Sequence, residues 1–281
     1  MKRRLRILLL WLTGHRNGVS VRELFAFLLA PRTSARAATL ITSLEPADQE
    51  MLCATVRGAD RPLYYPSTLK RSSLDHVVAA ALRPEEWHYY ETPGTRVRPD
   101  DIVIDAGAAE GMFTLVVYDR CDHVYSVEPL ESYVATLTRT FADAGNVEVI
   151  GAALGARPGE ATFVSDGTGS HIEAGSEGVA VTVDTVDSLF VDQGRRFTYL
   201  KADLEGWELD MLEGARRSLA EYLPRVSITT YHAPDHARLI ADFLHEIDPR
   251  YTTTVRGIED RWGAPVMLHA WIDEPEDAPE A

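Results

Sequence analysis

The chain has 281 residues, 45% of them hydrophobic, which suits one large α/β domain with an appendage or two small domains. A net charge of −15, from 28 basic and 43 acidic residues, argues against a nucleic-acid backbone as partner. The charge is segregated: residues 1–100 carry 15 Lys or Arg against 10 Asp or Glu, and the remainder 13 against 33.

Lys2, Arg3, Arg4 and Arg6 precede the apolar run Ile7 to Leu12, which is too short to cross a membrane and lacks a small-residue cleavage site. Residues 1 to about 55 read as helical. Leu5, Leu8, Leu9 and Leu12 form one apolar stripe, and Val21, Leu24, Phe25, Leu28 and Leu29 form another that Pro31 stops. Six basic residues precede the first acid, Glu23. Two readings follow: helices packed on their own domain or on a dimer partner, which is preferred, or a basic amphipathic segment resting on an anionic membrane. Residues 61–66 read as a short edge strand bounded by prolines, and Ser73 as the cap of a helix from Leu74 to Leu82. The aromatic segment Glu85 to Tyr90 either covers a ligand or closes a sheet edge. Turn chemistry at Pro93-Gly94 and at residues 98–101 marks the start of the core domain.

Residues 101–128 are the most informative stretch. Ile102-Val103-Ile104 reads as a buried parallel strand, ending on Asp105. A small-residue loop leads to a helix (Met112 to Tyr118), then to a second strand (His123 to Val127) that ends on Glu128. Gly107 and Gly111 let a ligand approach the backbone, and Glu128 stands where an acid can bind ribose hydroxyls. The loop lacks the dinucleotide pattern G-x-G-x-x-G, and Asp105 at its mouth would suit a cationic ligand such as a sulfonium.

A helix from Glu131 to Ala144 follows, then a third strand, Val147 to Ile150. Ala161 to Val164 and Val179 to Val183 read as a strand pair around the polar loop 166–171. Asp184 or Thr185 caps a short helix. A strand then delivers Asp203 at its carboxyl end, and a helix runs from Trp207 to Tyr222. The strand from Arg225 to Tyr231 ends on His232; a helix from Asp235 to Leu244 and an antiparallel terminal pair (Tyr251 to Val255, Val266 to Trp271) complete the core. Residues 274–281 read as an acidic disordered tail. Cys53 and Cys121 have no metal or disulfide spacing, which fits a reducing cytoplasm.

Trp87, Asp105-Ala-Gly107-Ala108-x-x-Gly111, Glu128-Pro129, Thr182-Val-Asp184, Lys201-Ala-Asp203-Leu-Glu205-Gly206 and His232, in this order, resemble the FkbM-type family of S-adenosylmethionine-dependent methyltransferases. The resemblance covers roughly residues 85–255. It implies a Rossmann-like class I methyltransferase sheet, mostly parallel with an antiparallel terminal strand. It also implies O-methylation of a hydroxyl on a sugar, glycolipid or polyketide-type product. The domain reading is then a helical extension (1–60), a cap or strap (61–97), the methyltransferase domain (98–273) and the tail (274–281).

Asp105, Gly107, Ala108, Gly111 and Glu128 are the expected contacts for S-adenosylmethionine, and Glu205 and Trp87 for the acceptor. His232 is the first choice of general base and Asp203 the second. No metal is assigned, although Asp203, Glu205 and His232 could be arranged around a divalent cation. Ala109 departs from the Asn usual in the family, and Thr230 from a common Glu, which weakens the case for an acid paired with His232. A small-molecule or glycan acceptor, a cytoplasmic location and a place for homo-oligomers or peripheral membrane contact complete the expectations. The alternatives are a non-catalytic accessory of the same fold and a nicotinamide-dependent Rossmann enzyme.

Overall fold

A computed structural model describes residues 2–165, 170–173 and 178–273. At its centre is a seven-stranded sheet. Its spatial order is Thr252–Arg256, Met267–Trp271, Arg225–Thr229, Tyr199–Ala202, Ile102–Ala106, His123–Val127 and Val147–Ile150. The strands from Arg225–Thr229 onward pair in parallel, whereas Met267–Trp271 runs antiparallel to both neighbours. This is the mostly parallel Rossmann-like sheet, with an antiparallel last strand, that the sequence predicts.

Successive residues of a strand face opposite layers. Val103 and Tyr199 enter one core with Phe113, Leu115 and Leu137, while Ile104 and Leu200 enter the other with Leu212, Ile228 and Ile240. Both faces are covered, so even the polar members of the inner strands, Asp105, Ser126, Lys201 and Ser227, are buried. The parallel strands deliver Gly107, Glu128 and Asp203 to one edge, and His232 follows shortly after Thr229.

The N-terminal region departs from its expected helical character. Lys2–Leu12, Val21–Leu29 and Thr33–Ala37 are helices, but Ile41–Pro46, Met51–Val56 and Leu63–Pro66 form a three-stranded antiparallel sheet. Asp48 sets the first turn by accepting from the N–H groups of Glu50 (2.9 Å) and Met51 (2.8 Å). Ala54, Leu63 and Tyr65 then join Leu74 and Val78 of helix Arg71–Leu82 in the same core as Val103. Residues 41–82 are therefore part of the main core.

The two apolar stripes are split between faces, with Leu8, Leu24 and Leu28 packed inward and the rest outward. Leu5, Leu9, Leu12, Val21, Phe25 and Leu29 are exposed, and Ile7 and Leu24 are the side chains buried around Trp87 and Ile258. Both helices are apolar on more than one side, so periodicity could not identify the inward face. Asn17, between them, donates to the carbonyls of Gly257 (3.1 Å) and Gly263 (2.9 Å).

A smaller four-stranded sheet orders Ala153–Leu154, Val179–Asp184, Gly159–Ser165 and Ser170–Glu173, and contains the predicted pair. Residues 166–169 of the polar loop and the tail 274–281 lie outside the described residues. The single helix predicted from Trp207 to Tyr222 is two, Glu208–Glu213 and Arg216–Tyr222. The N–H of Asp187 takes the Gly214 carbonyl (2.9 Å), and the Asp187 carboxylate accepts from the N–H groups of Arg217 (3.1 Å) and Ser218 (2.8 Å), restarting the helix. Among the described residues no helix is long and apolar enough to cross a membrane.

Candidate active site

The loop after strand Ile102–Ala106 explains its own residue types. Gly107 has φ +69°, and a Cβ there would fall 2.1 Å from the carbonyl oxygen of Asp203. Only glycine lets the loop lie against the neighbouring strand end. The N–H groups of Gly107 and Ala108 donate to the Val127 carbonyl at 2.9 and 3.1 Å. Ala109 takes a left-handed conformation (φ +47°), and its N–H donates to Glu128 Oε2 at 3.0 Å. The other oxygen of Glu128 accepts from the Leu130 N–H, also at 3.0 Å.

Gly107, Ala109, Glu110, Glu128, Tyr133, Asp203 and Glu205 line a cavity of ≈ 510 Å³. Burial pushes the carboxyls of Glu110 and Glu128 up to about 7, against the N–H groups that favour their charged forms. Glu110 escaped the sequence reading because nothing in the loop pattern separates it from a solvated acid.

Three expected cofactor contacts lie outside this cavity, and Trp87, expected at the acceptor, lines a separate one. Asp105 is buried behind the loop: Lys201 Nζ stands 2.8 Å from Oδ1, and Oδ2 accepts from the N–H (3.2 Å) and hydroxyl (2.8 Å) of Thr114. Lys201 also donates to the Gly107 carbonyl at 2.7 Å. Asp105 thus braces the loop from beneath, and its charge is not at the cavity mouth. Strand register decides this, because Asp105 and Lys201 are direct partners on adjacent strands. Ala108 is buried in the core, and Gly111 (φ +86°) lies where a Cβ would come within 2.5 Å of Leu137, so neither lines the cavity. Trp87 stacks on Phe27 with ring centroids 4.4 Å apart. It lines a second cavity, of ≈ 570 Å³, with His76, His88 and Tyr231.

Asp203 lines the first cavity and meets the second through His88. Its Oδ2 accepts from the Tyr90 hydroxyl at 3.0 Å and lies 3.5 Å from His88 Nε2; Thr229 Oγ1 donates to Oδ1 at 3.1 Å. Burial disfavours its charge, but His88, His232, Lys201 and the Tyr90 hydroxyl outweigh that and hold the carboxyl below the ordinary aspartate range.

His232 lies between carboxylates, with Nδ1 2.9 Å from Glu208 Oε1, and Nε2 3.3 Å from Glu205 Oε2 and 3.9 Å from Asp203 Oδ1. Burial opposes its charge, yet the bonds to Glu205 and Glu208 and the field of Asp203 raise it to about 10. The histidine expected to accept a proton near neutrality is therefore an imidazolium in this arrangement. His88 is the reverse: burial pushes it down to about 4, against the pull of Asp203.

Glu208 was not expected in the site, whereas His88 and Tyr90 belong to the aromatic segment read as covering a ligand or closing a sheet edge. Glu208 is fully buried and reaches back from the first turn of its helix to the N–H groups of Leu204 (3.0 Å) and Gly206 (3.4 Å). The acid that pairs with His232 is supplied from there and not from position 230, where Thr230 bonds the Pro265 carbonyl. One donor atom from each of Asp203, Glu208 and His232 lies within 4.8 Å of the others, close enough to surround a divalent cation, with Glu208 in the place expected for Glu205. The imidazolium of His232, 2.9 Å from Glu208, already balances the charge of that carboxylate without one.

The family model of the methyltransferase FkbM domain matches residues 105–251. The chain belongs to this family. No curated protein matches it. Among solved structures, an FkbM methyltransferase from Methylobacillus flagellatus is similar at 21% identity and TM-score 0.51, over 72% of this chain and 56% of that one. The chain thus spans little more than half of that relative. An rRNA methylase from Streptococcus thermophilus (15% identity, TM-score 0.39, 62% of this chain and 87% of that one) is also similar. So is a precorrin-6y C5,15-methyltransferase from Geobacter metallireducens (12%, 0.42, 74% and 94%).

Membership gives Ala109 a physical reading. Where the FkbM pattern usually has Asn, the backbone needs a left-handed residue, which asparagine adopts more readily than alanine. Ala109 keeps that conformation and its bond to Glu128, so what is lost is an amide side chain and some local stability.

Proposed function

We propose that the protein is an S-adenosylmethionine-dependent O-methyltransferase acting on a hydroxyl of a sugar, glycolipid or polyketide-type acceptor. The observation that carries this reading is the position of Asp203, which lines the ≈ 510 Å³ cavity with Gly107 and Glu128 while His88, from the wall of the second cavity, stands 3.5 Å from it. Gly107, Ala109, Glu110 and Glu128 would hold the cofactor. Their fit rests on a loop floor that no Cβ could share, and on two buried acids whose raised values call for hydroxyl donors or positive charge. Bound S-adenosylmethionine supplies a methyl group on an electrophilic sulfonium.

The chain's residues orient and deprotonate the acceptor. A hydroxyl entering from the second cavity donates to Asp203, which is ionised at neutral pH and takes up the proton. His232 already carries its proton, so its part is to keep Asp203 charged, and the neutral His88 is the second proton acceptor. The intact Ala109–Glu128 bond favours this reading over a non-catalytic accessory.

Calorimetric titration with S-adenosylmethionine and S-adenosylhomocysteine tests the cofactor half: wild type binds and Glu128→Ala does not. Failure of the folded wild type to bind would overturn the reading. Methyl transfer to a panel of hydroxylated glycans and polyketides tests the acceptor half, with chelation of divalent cations expected to leave the rate unchanged.

A further inference from the structure

Among the described residues eight large hydrophobic side chains are exposed, and six of them stand on the two N-terminal helices. Leu5, Leu9 and Leu12 recur at helical spacing on the first, and Val21, Phe25 and Leu29 on the second, each between 54% and 81% exposed. A seventh, Trp262, lies in the loop that meets these helices, since Gly263 abuts the His15 ring and accepts from Asn17. The inward faces are already committed through Ile7 and Leu24. The outward stripes are thus a second apolar surface, clustered where scattered exposed residues would need no explanation.

The charge around this surface is opposite to that of the rest of the chain. Residues 2–32 hold seven Lys or Arg against one acid, and the remaining residues hold 21 against 42. That one acid, Glu23, is engaged by Ser20 and Arg256. Arg3 and Arg6 reach Asp260 at 3.3 and 3.8 Å while their side chains remain mostly exposed. A second copy docking symmetrically would bring the same basic surface against itself. An anionic lipid surface meets both properties, accepting apolar side chains below its head groups and basic ones at them.

We propose that the two N-terminal helices and the Trp262 loop form a docking surface for an anionic bilayer, lying in its interface and not crossing it. Docking is independent of the reaction, although Arg3, Phe27 and Ala30 of the same segment line the second cavity.

The test is co-sedimentation of the full chain with vesicles of phosphatidylcholine alone or mixed with phosphatidylglycerol. The mixed vesicles should retain the protein about tenfold better, with retention falling as salt rises. The triple variant Leu5→Ser, Leu9→Ser, Phe25→Ser should lose this retention while melting as wild type and binding S-adenosylmethionine equally. Leu29→Ser, at the most exposed position, should lower it partly and serves if the triple variant is unstable. Retention by the triple variant equal to wild type overturns the proposal, as does absence of binding by both. A concentration-dependent dimer that the triple variant abolishes, without vesicle binding, assigns the surface to a second copy instead and also overturns it. Weak cofactor binding with intact vesicle binding would count against the proposed function alone.

Discussion

Glu128 and Asp203 are carboxylates at the carboxyl ends of parallel strands, lining the same cavity, the first buried and the second partly buried, and their acidities are shifted in opposite directions. Burial raises Glu128 to about 7: its two N–H bonds and the charge of Lys201 pull it down without offsetting desolvation, and Asp105 and Glu110 push the same way as burial. Asp203 suffers the same desolvation but sits among Lys201, His88, His232 and the Tyr90 hydroxyl, which hold it ionised. Position on the sheet does not set the charge of an acid here; the neighbouring groups do. One acid is left adjustable by what binds to it, and the other has a fixed charge.

The sharpest way to break this contrast is Asp203→Asn. It should slow methyl transfer by roughly a thousandfold while sparing cofactor affinity. NMR titration should show the imidazole of His232 moving down from about 10 in the same variant.

Glu208→Gln removes the partner on the opposite side of the imidazole and should cost about 2 kcal/mol of stability, because the buried imidazolium loses the nearest of its three carboxylates. Glu208 is lowered by folding, so its contribution is present above the ordinary glutamate value and lost as pH falls. His232 is raised, so its contribution is full below its ordinary value and lost as pH rises through about 10. Denaturation across pH should therefore show the largest deficit at about pH 5–6.5.

Glu128→Gln sharpens the other side. It should weaken S-adenosylmethionine roughly tenfold to a hundredfold. Hydroxyl donors and a positive ligand favour the charged carboxylate, so binding releases protons and wild-type affinity should tighten as pH rises through about 7. Calorimetry in the variant should show a flatter pH dependence, with Glu110 supplying what remains. The smallest effect is expected at the loop between them. Ala109→Gly relieves a left-handed alanine and should stabilise the protein by about 1 kcal/mol, read as a higher melting temperature.

The sheet was legible in the sequence because its strands are short apolar runs at regular spacing and its loop is punctuated by glycines at 107 and 111. Glu128 and Asp203 were legible for the same reason, since a strand end fixes where its next residue projects. What remained hidden depended on register or on a returning helix. Asp105 turns inward because Lys201 happens to pair with it across the sheet, and Glu208 meets His232 because a helix turn folds back over the loop 204–206. Residues 41–56 were read as helix because their alternation is short, and only the Asp48 turn makes a hairpin of it. The faces of the first two helices could not be told apart by a period when both were apolar.

The Asn17 clasp imposes an order on folding. Its amide bonds carbonyls at 257 and 263, and Met267–Trp271 must insert between Arg225–Thr229 and Thr252–Arg256. Residues 257–266 must leave the ribosome before residues 2–29 can seat around Ile258, so the helices made first wait longest for their place. A nascent chain halted before residue 257 would leave the inward face of both helices without Ile258 and the Asn17 clasp, so it is the late loop that withdraws that face from any chaperone competing for it.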